Sequence, residues 1–305
     1  MHRPGMKRRR MLVVALAAPA LPVLQGCAAP LPVSLNAAST PAAQALLRES
    51  ARAHGLAAFQ SLQDISVSYN GEWRALIGKL QPALVDASFR DSSEERLLLR
   101  EGIVAQAHKG PGGRKQVVRR STDSAPGEVR VWFNGEEARD AERRAAASLV
   151  ADAYRLFLLG PLLLVDRPLV MELGDIEWVN EHACDVLRMQ LTPGLGHARV
   201  DQAALFIDRK ERLLRRVRFT LDGLESTKGA IAEVEMFEHA TLHGVRWPTR
   251  FYERLVRPLR MPVHDWQLTG LDVNRGLRTS EVEGPEFSGA ATARATPLPR
   301  RAGAT

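Results

Sequence analysis

The sequence predicts an α+β protein, mainly β, built as one large, strongly curved antiparallel sheet with helices against one face. Three observations lead there. From Ile65 onward strand-like alternation dominates the chain, with β-branched and aromatic residues recurring at every second position. Turn residues cut this alternation into runs joined by few residues, and strands joined so closely pair antiparallel, because parallel pairs need crossovers of a dozen or more residues. Two stretches with helical spacing interrupt the pattern, and amphipathic helices bury their apolar stripe by lying on a sheet.

The elements follow in chain order. In TPAAQALLRESARAHG, residues 40–55, Thr40 is placed as a cap, Pro41 at the first helical position and Gly55 at the end, which defines a helix of about three to four turns. ISVSYNGEWRALI, VDASFR, ERLLLREGIVAQAH, RKQVVRRS and EVRVWFNG then read as strands, separated by turns that include KGPGG and NGEE. A second helix is expected from Glu137 to Leu159; it begins with charged residues and runs into YRLFLLGPLLLV, where Gly160-Pro161 must break it. IEWVN, ACDVLRMQL, QAALFIDR, ERLLRRVRFTL, AIAEVEMFEHA, RWPTRFYERLV and DWQLTGLDV supply further strands joined by short turns. No internal repeat is evident.

The ends of the chain have a different character. Residues 1–26 carry a basic stretch from Lys7 to Arg10, an apolar stretch from Met11 to Val23 and the small residue Gly26, the three parts of a secretory signal. A membrane-spanning helix needs about 20 apolar residues, and Pro19 and Pro22 interrupt a run that is already shorter. Leu24-Gln25-Gly26-Cys27 resembles the bacterial lipobox, which implies a diacylglyceryl group on the Cys27 thiol and cleavage just before it. Two acyl chains on one residue give stable anchoring, where a single chain holds only marginally. Ala28 and Ala29 follow with no Asp at the second position, and in Gram-negative lipoproteins that resemblance implies sorting to the periplasmic face of the outer membrane. Residues 27–38, rich in proline and free of charge, are expected to be a tether, residues 39–287 the folded domain and residues 288–305, rich in Ala, Thr and Pro, a disordered tail.

Charge and cysteine usage exclude several functions. The chain is formally +7, but residues 1–26 hold five of its 42 basic residues and no acidic one, and the tail holds Arg294, Arg300 and Arg301. The folded body is therefore close to neutral. Its bases alternate with acids, as in FIDRKERLLRRVRF, which reads as a solvated face and excludes a phosphate track; no nucleic-acid partner is expected. Cys184 is the other cysteine in the chain. With Cys27 acylated it has no partner for an intramolecular disulfide, and it reads as a small core residue.

QAALFIDRKERLLRRVRFTLDG followed by EVEMFEHATLHGVRWPTRFYE resembles the later strands of the periplasmic lipoprotein carrier and receptor group, the LolA/LolB-like superfamily. The elements that carry the resemblance are the Asp208 turn, the basic and apolar strand from Leu213 to Phe219, the turn at Gly244 and the Trp247-Pro248 strand. The resemblance covers about residues 60–275. It implies an unclosed half-barrel whose concave face is covered by helices and receives acyl chains.

An incomplete barrel packed by helices leaves an apolar cleft between its layers. Leu156, Phe157, Leu159, Leu162, Leu163 and Leu164 are the candidate lining, because they cannot all point into one dense core from a single helix; as a core segment they would form a buried helix leading into a buried strand. Trp132, Phe133, Phe206 and Phe219 are further candidates, placed on alternating strands where aromatic residues also build cores. His239 and His243 have metal-ligand spacing only on a helix, and here they fall at a strand end and turn. His182 and Cys184 share a strand face. Glu94 and Glu95, and Glu136 and Glu137, fall at turns or a helix start. No serine stands in a nucleophile elbow, and KGPGGRK lacks the hydroxyl residue of a phosphate loop. No catalytic residue, metal or cofactor is expected.

The sequence thus points to an outer-membrane-anchored periplasmic lipoprotein that binds or transfers a lipid or lipoprotein acyl chain. The alternative is a non-enzymatic structural or interaction lipoprotein that packs the same cleft shut and binds an envelope protein.

Overall fold

A computed structural model describes residues 31, 39–121 and 127–287. The lipobox Leu24–Cys27, most of the tether and the tail 288–305 lie outside these residues.

The described chain opens with α1 (Pro41–Ala53), in which the Thr40 hydroxyl accepts from the Ala43 amide at 3.2 Å and Pro41 occupies the first turn. After a single turn, α2 (Leu56–Phe59), comes β1 (Asp64–Trp73), and then α3 (Ala75–Leu80) and α4 (Pro82–Val85). Two hairpins follow, β2 (Ser92–Leu98) with β3 (Ile103–Gly110), and β4 (Gly113–Arg120) with β5 (Glu128–Phe133). The short β6 (Glu136–Glu137) leads into α5 (Ala141–Leu159), which Asp140 caps by accepting from the Arg143 amide at 2.8 Å. Gly160 ends α5 with a positive φ and Pro161 opens α6 (Pro161–Leu164). The second half runs β7 (Val170–Leu173), β8 (Glu177–Val179), β9 (His182–Leu191), β10 (Asp201–Asp208) and β11 (Leu214–Thr220). It ends with the long strands β12 (Ile231–Leu242), β13 (Val245–Arg257) and β14 (Met261–Val273).

All strand pairs are antiparallel, in the order β6-β5-β4-β3-β2-β1-β14-β13-β12-β11-β10-β9-β7, with β8 also on β9. The sheet is an unclosed half-barrel with helices on its concave face, the architecture implied by the sequence. Each half is a meander, and the halves meet where β1 pairs with β14. Asp64 fastens this seam: its buried carboxylate accepts from the backbone amides of Arg275, Gly276 and Leu277 at 2.9–3.2 Å. The two sheet edges are β6 and β7, and the connection between them contains α5. A chain segment that links opposite edges of a curved sheet has to cross one of its faces, and α5 crosses the concave one, packed on β3, β4, β5 and β13.

Several segments differ from the sequence expectation. VDASFR is not a strand; α4 and a 3-10 turn at Ala87–Phe89 occupy it, and the end of ISVSYNGEWRALI is α3. Ile77, Leu80 and Leu84 recur at helical spacing there, a period masked by the alternation just before it. The second helix starts at Ala141 instead of Glu137, because Asn134-Gly135, both with positive φ, turn Glu136 and Glu137 back onto β5. Of the bases of FIDRKERLLRRVRF, Arg209 and Lys210 are solvated as expected, but those of β11 are buried. Arg216 pairs with Glu235 at 2.5 Å and Arg218 with Glu233 at 2.6 Å, each directly across β11 and β12, and Arg254 of β13 joins both acids. This buried ion lattice lies on the convex face around Phe206, whose ring receives both guanidinium groups. Leu31 is buried in the apolar cluster of Val179, Cys184, Val186 and Phe206 on the same face.

On the concave side α5 is held by charge as well as by packing. Asp152 accepts from Arg119 of β4 at 2.8 Å, from the Ser121 hydroxyl at 3.0 Å and from the Gly196 amide at 2.9 Å. Asp152→Ala strands a buried guanidinium, and removing one partner of a buried pair costs about 3–5 kcal/mol. A urea titration should show the midpoint falling accordingly; an unchanged midpoint would show that α5 is fastened by apolar contacts alone.

Candidate apolar binding cleft

Between the sheet floor, α5 and the α3–α4 segment lies a cavity of about 570 Å³. Three sets of side chains build it, each presented by the period of its element. Alternate residues of the strands form the floor: Phe219, Ala232, Glu253, Leu255 and Val263. One face of α5 supplies Leu149, Val150, Ala153, Tyr154 and Phe157 as a wall. Ile77, Leu80 and Leu84 of α3–α4 form the cover. The cavity reaches the surface at an apolar rim, where Leu80 is 56% and Leu259 70% exposed. Across this rim Gln81 donates to the Ser226 carbonyl and accepts from the Ser226 hydroxyl, both at 3.0 Å, fastening the cover to the loop between β11 and β12.

Of the residues singled out in the sequence, Phe157 and Phe219 line this cavity, their ring centroids 5.3 Å apart. Leu156, Leu163 and Leu164 border a separate recess of about 50 Å³ beside Asp152. Leu159 and Leu162 are buried in the main core. α5 is apolar on nearly its whole circumference, so only one of its rows can face any single cavity. Trp132 and Phe133 are consecutive in β5 and point to opposite faces. Trp132 is buried on the convex side with Leu98, Ile103 and Val282, and Phe133 packs on Phe89 with centroids 5.0 Å apart. Phe206 lies in the convex cluster. The cover segment was missed because its two ends were read as strands and residues 78–84 between them were assigned to no element.

His239 and His243 do not converge. His239 lies beside His54, centroids 5.7 Å apart, and His243 occupies the β12–β13 turn. His182 Nδ1 is 2.7 Å from Asp208, and Cys184 is a buried free thiol pushed up to about 12 by burial. Among the described residues no group of three or more His, Cys, Asp or Glu is placed to hold a metal ion. Among the same residues no helix is long and apolar enough to cross a membrane.

The inner end of the cavity borders a polar and aromatic cluster. Trp73, His264, Trp266 and Phe251 stack in sequence across β1, β14 and β13, with centroids 3.9, 4.6 and 4.9 Å apart. Gly71 lies opposite Trp266, where a Cβ would come within 2.4 Å of the tryptophan Cβ, so the close stack requires glycine. Tyr154 Oη is 3.0 Å from His264 Nδ1, and Arg90 donates to the Leu84 carbonyl at 3.1 Å with its guanidinium over the Trp73 and Tyr154 rings. Burial, with the nearby Arg90 charge, keeps His264 well below its ordinary value and therefore neutral. Burial likewise pushes two carboxyls up to about 7: Glu253 in the cavity and Glu95 on β2.

The sequence placed Glu95 at a turn; it is fully buried and accepts from Gln106 Nε2 at 2.6 Å. Its folded value lies above the carboxylate's unfolded one, so the native state holds the proton more tightly. The stabilisation is present below about pH 4.5 and is lost as pH rises through about 7. Glu95→Gln removes that loss. The variant should be more stable than the parent by roughly 3 kcal/mol at pH 8 and equal to it at pH 4. Denaturant curves at the two pH values check this; a difference that does not grow with pH would mean that Glu95 is ionised and paired throughout.

No protein-family model and no curated protein matches the chain. Among solved structures it is similar to a DUF1329 family protein from Desulfovibrio piger, at 12% identity over 81% of this chain and 98% of that one, with a TM-score of 0.48. It is similar to a LolA superfamily protein from Nitrosomonas europaea, at 10% identity over 79% and 96%, with a TM-score of 0.49. A third is the lipoprotein LppX from Mycobacterium tuberculosis, at 13% identity over 61% and 91%, with a TM-score of 0.27.

Proposed function

We propose that the protein is a periplasmic lipoprotein, anchored to the outer membrane through an acylated Cys27, that binds or hands on a lipid or lipoprotein acyl chain. The observation that carries this reading is the cavity of about 570 Å³ between sheet and helices, walled mainly by apolar side chains. Its volume falls within the range of small-ligand sites, roughly 300–1,000 Å³. The resemblance of the later strands to the LolA/LolB-like group supports the same reading, since in that group the concave face receives acyl chains.

The mechanism is partition and requires no bond to be made or broken. Each methylene moved from water into the cavity contributes about 0.8 kcal/mol. Ten of them supply roughly 8 kcal/mol, a micromolar affinity before the cost of ordering the chain. The two acyl groups on Cys27 keep the cleft beside the bilayer, so a chain leaving the cavity has a short path to an apolar phase.

The test is native mass spectrometry with lipid extraction on residues 28–305, purified without detergent. A stoichiometric phospholipid or acyl ligand is expected. A clean ligand-free mass, together with no uptake of an apolar fluorescent probe, would favour the structural or interaction lipoprotein instead. For the anchor, the intact mass of protein extracted from membranes should show an N-terminal Cys27 carrying acyl chains; an unmodified N-terminus rules the anchor out.

A further inference from the structure

Among the described residues Glu253 is the only acidic one lining the cavity. It sits on β13 in the floor, half-buried, directly across from His264 of β14 and Val234 of β12. Among the described residues its side chain has no hydrogen-bonding or ion-pairing partner. A carboxyl in an apolar wall is costly unless something meets it, and the side chains of Tyr154, His264 and Arg90 are engaged elsewhere. Tyr154 Oη and His264 Nδ1 hold each other at 3.0 Å. Arg90 donates to the Leu84 carbonyl and stacks on Trp73, and its charge acts on Glu253 from a distance without bonding to it. The unmet capacity of Glu253 is therefore directed into the space a ligand fills.

We propose that Glu253 selects the head of the bound molecule: the cavity takes an amphiphile whose chain carries a hydrogen-bond donor, an amine or hydroxyl, seated against this carboxylate. The inference rests on the reading of the cavity as an acyl-chain site and adds the chemistry of the polar end. An amine or hydroxyl gives the carboxylate the donor it lacks, and hydrogen bonds to a charged group in a site shielded from water are among the stronger ones. A free fatty-acid anion brings a second negative charge to the same place and is disfavoured. Of the charged and titratable groups around it, Arg90 favours the ionised form of Glu253, Tyr154 and the neutral His264 carry no charge, and Lys228 and Arg257, which also line the cavity, are exposed to solvent, Lys228 beside Glu225. Burial holds Glu253 near neutrality, at about 7, so a donor bound against it also draws it towards the ionised state.

The experiment is displacement of diphenylhexatriene, a hydrocarbon fluorophore without donors, from residues 28–305 at pH 8. The competitors are dodecylamine, dodecanol and dodecanoate, each below its micelle concentration. The amine and the alcohol should displace the fluorophore at concentrations about tenfold or more below dodecanoate. In Glu253→Gln the amine should lose and dodecanoate gain, so that the spread collapses; Glu253→Asp, which keeps the charge one methylene further back, should retain the order. Bound fluorophore displaced equally by all three competitors, or a spread unchanged in Glu253→Gln, overturns the inference and leaves the acyl-chain reading intact. No binding of the fluorophore at all overturns the reading and the inference together.

Discussion

Replacing Ala153 by Trp should reduce ligand uptake by the cleft at least tenfold while leaving the protein folded. Ala153 is on the row of α5 that faces the cavity, between Val150 and Phe157, and its small side chain leaves much of the wall open. An indole at this position projects into existing space, so the overpacking penalty of a filled core, about 1–3 kcal/mol, does not arise in full. The displaced volume is that available to a bound chain, and each methylene excluded removes about 0.8 kcal/mol of binding. Titration with an apolar fluorophore and thermal unfolding on the same preparation check both halves. Uptake equal to the parent's in a folded variant would place the binding site elsewhere; the recess beside Asp152, at about 50 Å³, is too small to hold a long chain.

Phe157→Ala should act in the opposite sense. Phe157 is 3% exposed and touches Tyr154, Phe219 and Trp266, so it ties α5 to the aromatic stack on the sheet. Loss of a buried phenylalanine costs about 3–5 kcal/mol, which lowers the melting temperature by roughly 6–20 °C for a domain of this size. Because the ring also lines the cavity, its removal enlarges the ligand space. Binding should survive, and saturating ligand should restore part of the lost stability, since a ligand bound only by the native state stabilises it by mass action. A melting temperature within 2 °C of the parent's would mean that α5 does not depend on this contact.

The two substitutions are four residues apart on one helix face, yet their effects fall on different quantities. Ala153 borders empty space, and Phe157 borders both empty space and dense core. Side-chain type alone does not make that distinction. YRLFLLGPLLLV marks a helix that must be buried, and the break at Gly160-Pro161 follows from local backbone chemistry. Which of its rows meets the cavity depends on how α5 is rotated against the sheet, and the Asp152–Arg119 pair contributes to fixing that rotation.

Local rules carried the rest of what could be read along the chain. The Thr40-Pro41 start of α1, the Asn134-Gly135 and His243-Gly244 turns and the alternation of the long strands are set by interactions within a few residues, so they were legible without the fold. Their sum determined an antiparallel sheet with helices on one face. The tertiary structure alone decided the rest. It joined two meanders through β1 and β14, some 200 residues apart, and turned Ala75–Val85 into the cover of a cavity. It also buried Glu95 and the Arg216–Glu235 lattice, which composition had presented as turn and surface. The physical reason is that a period of two shows that a strand has two faces and says nothing of what lies against each one. Here both faces are covered over much of the sheet, and the partner of each side chain comes from a strand or helix remote in sequence.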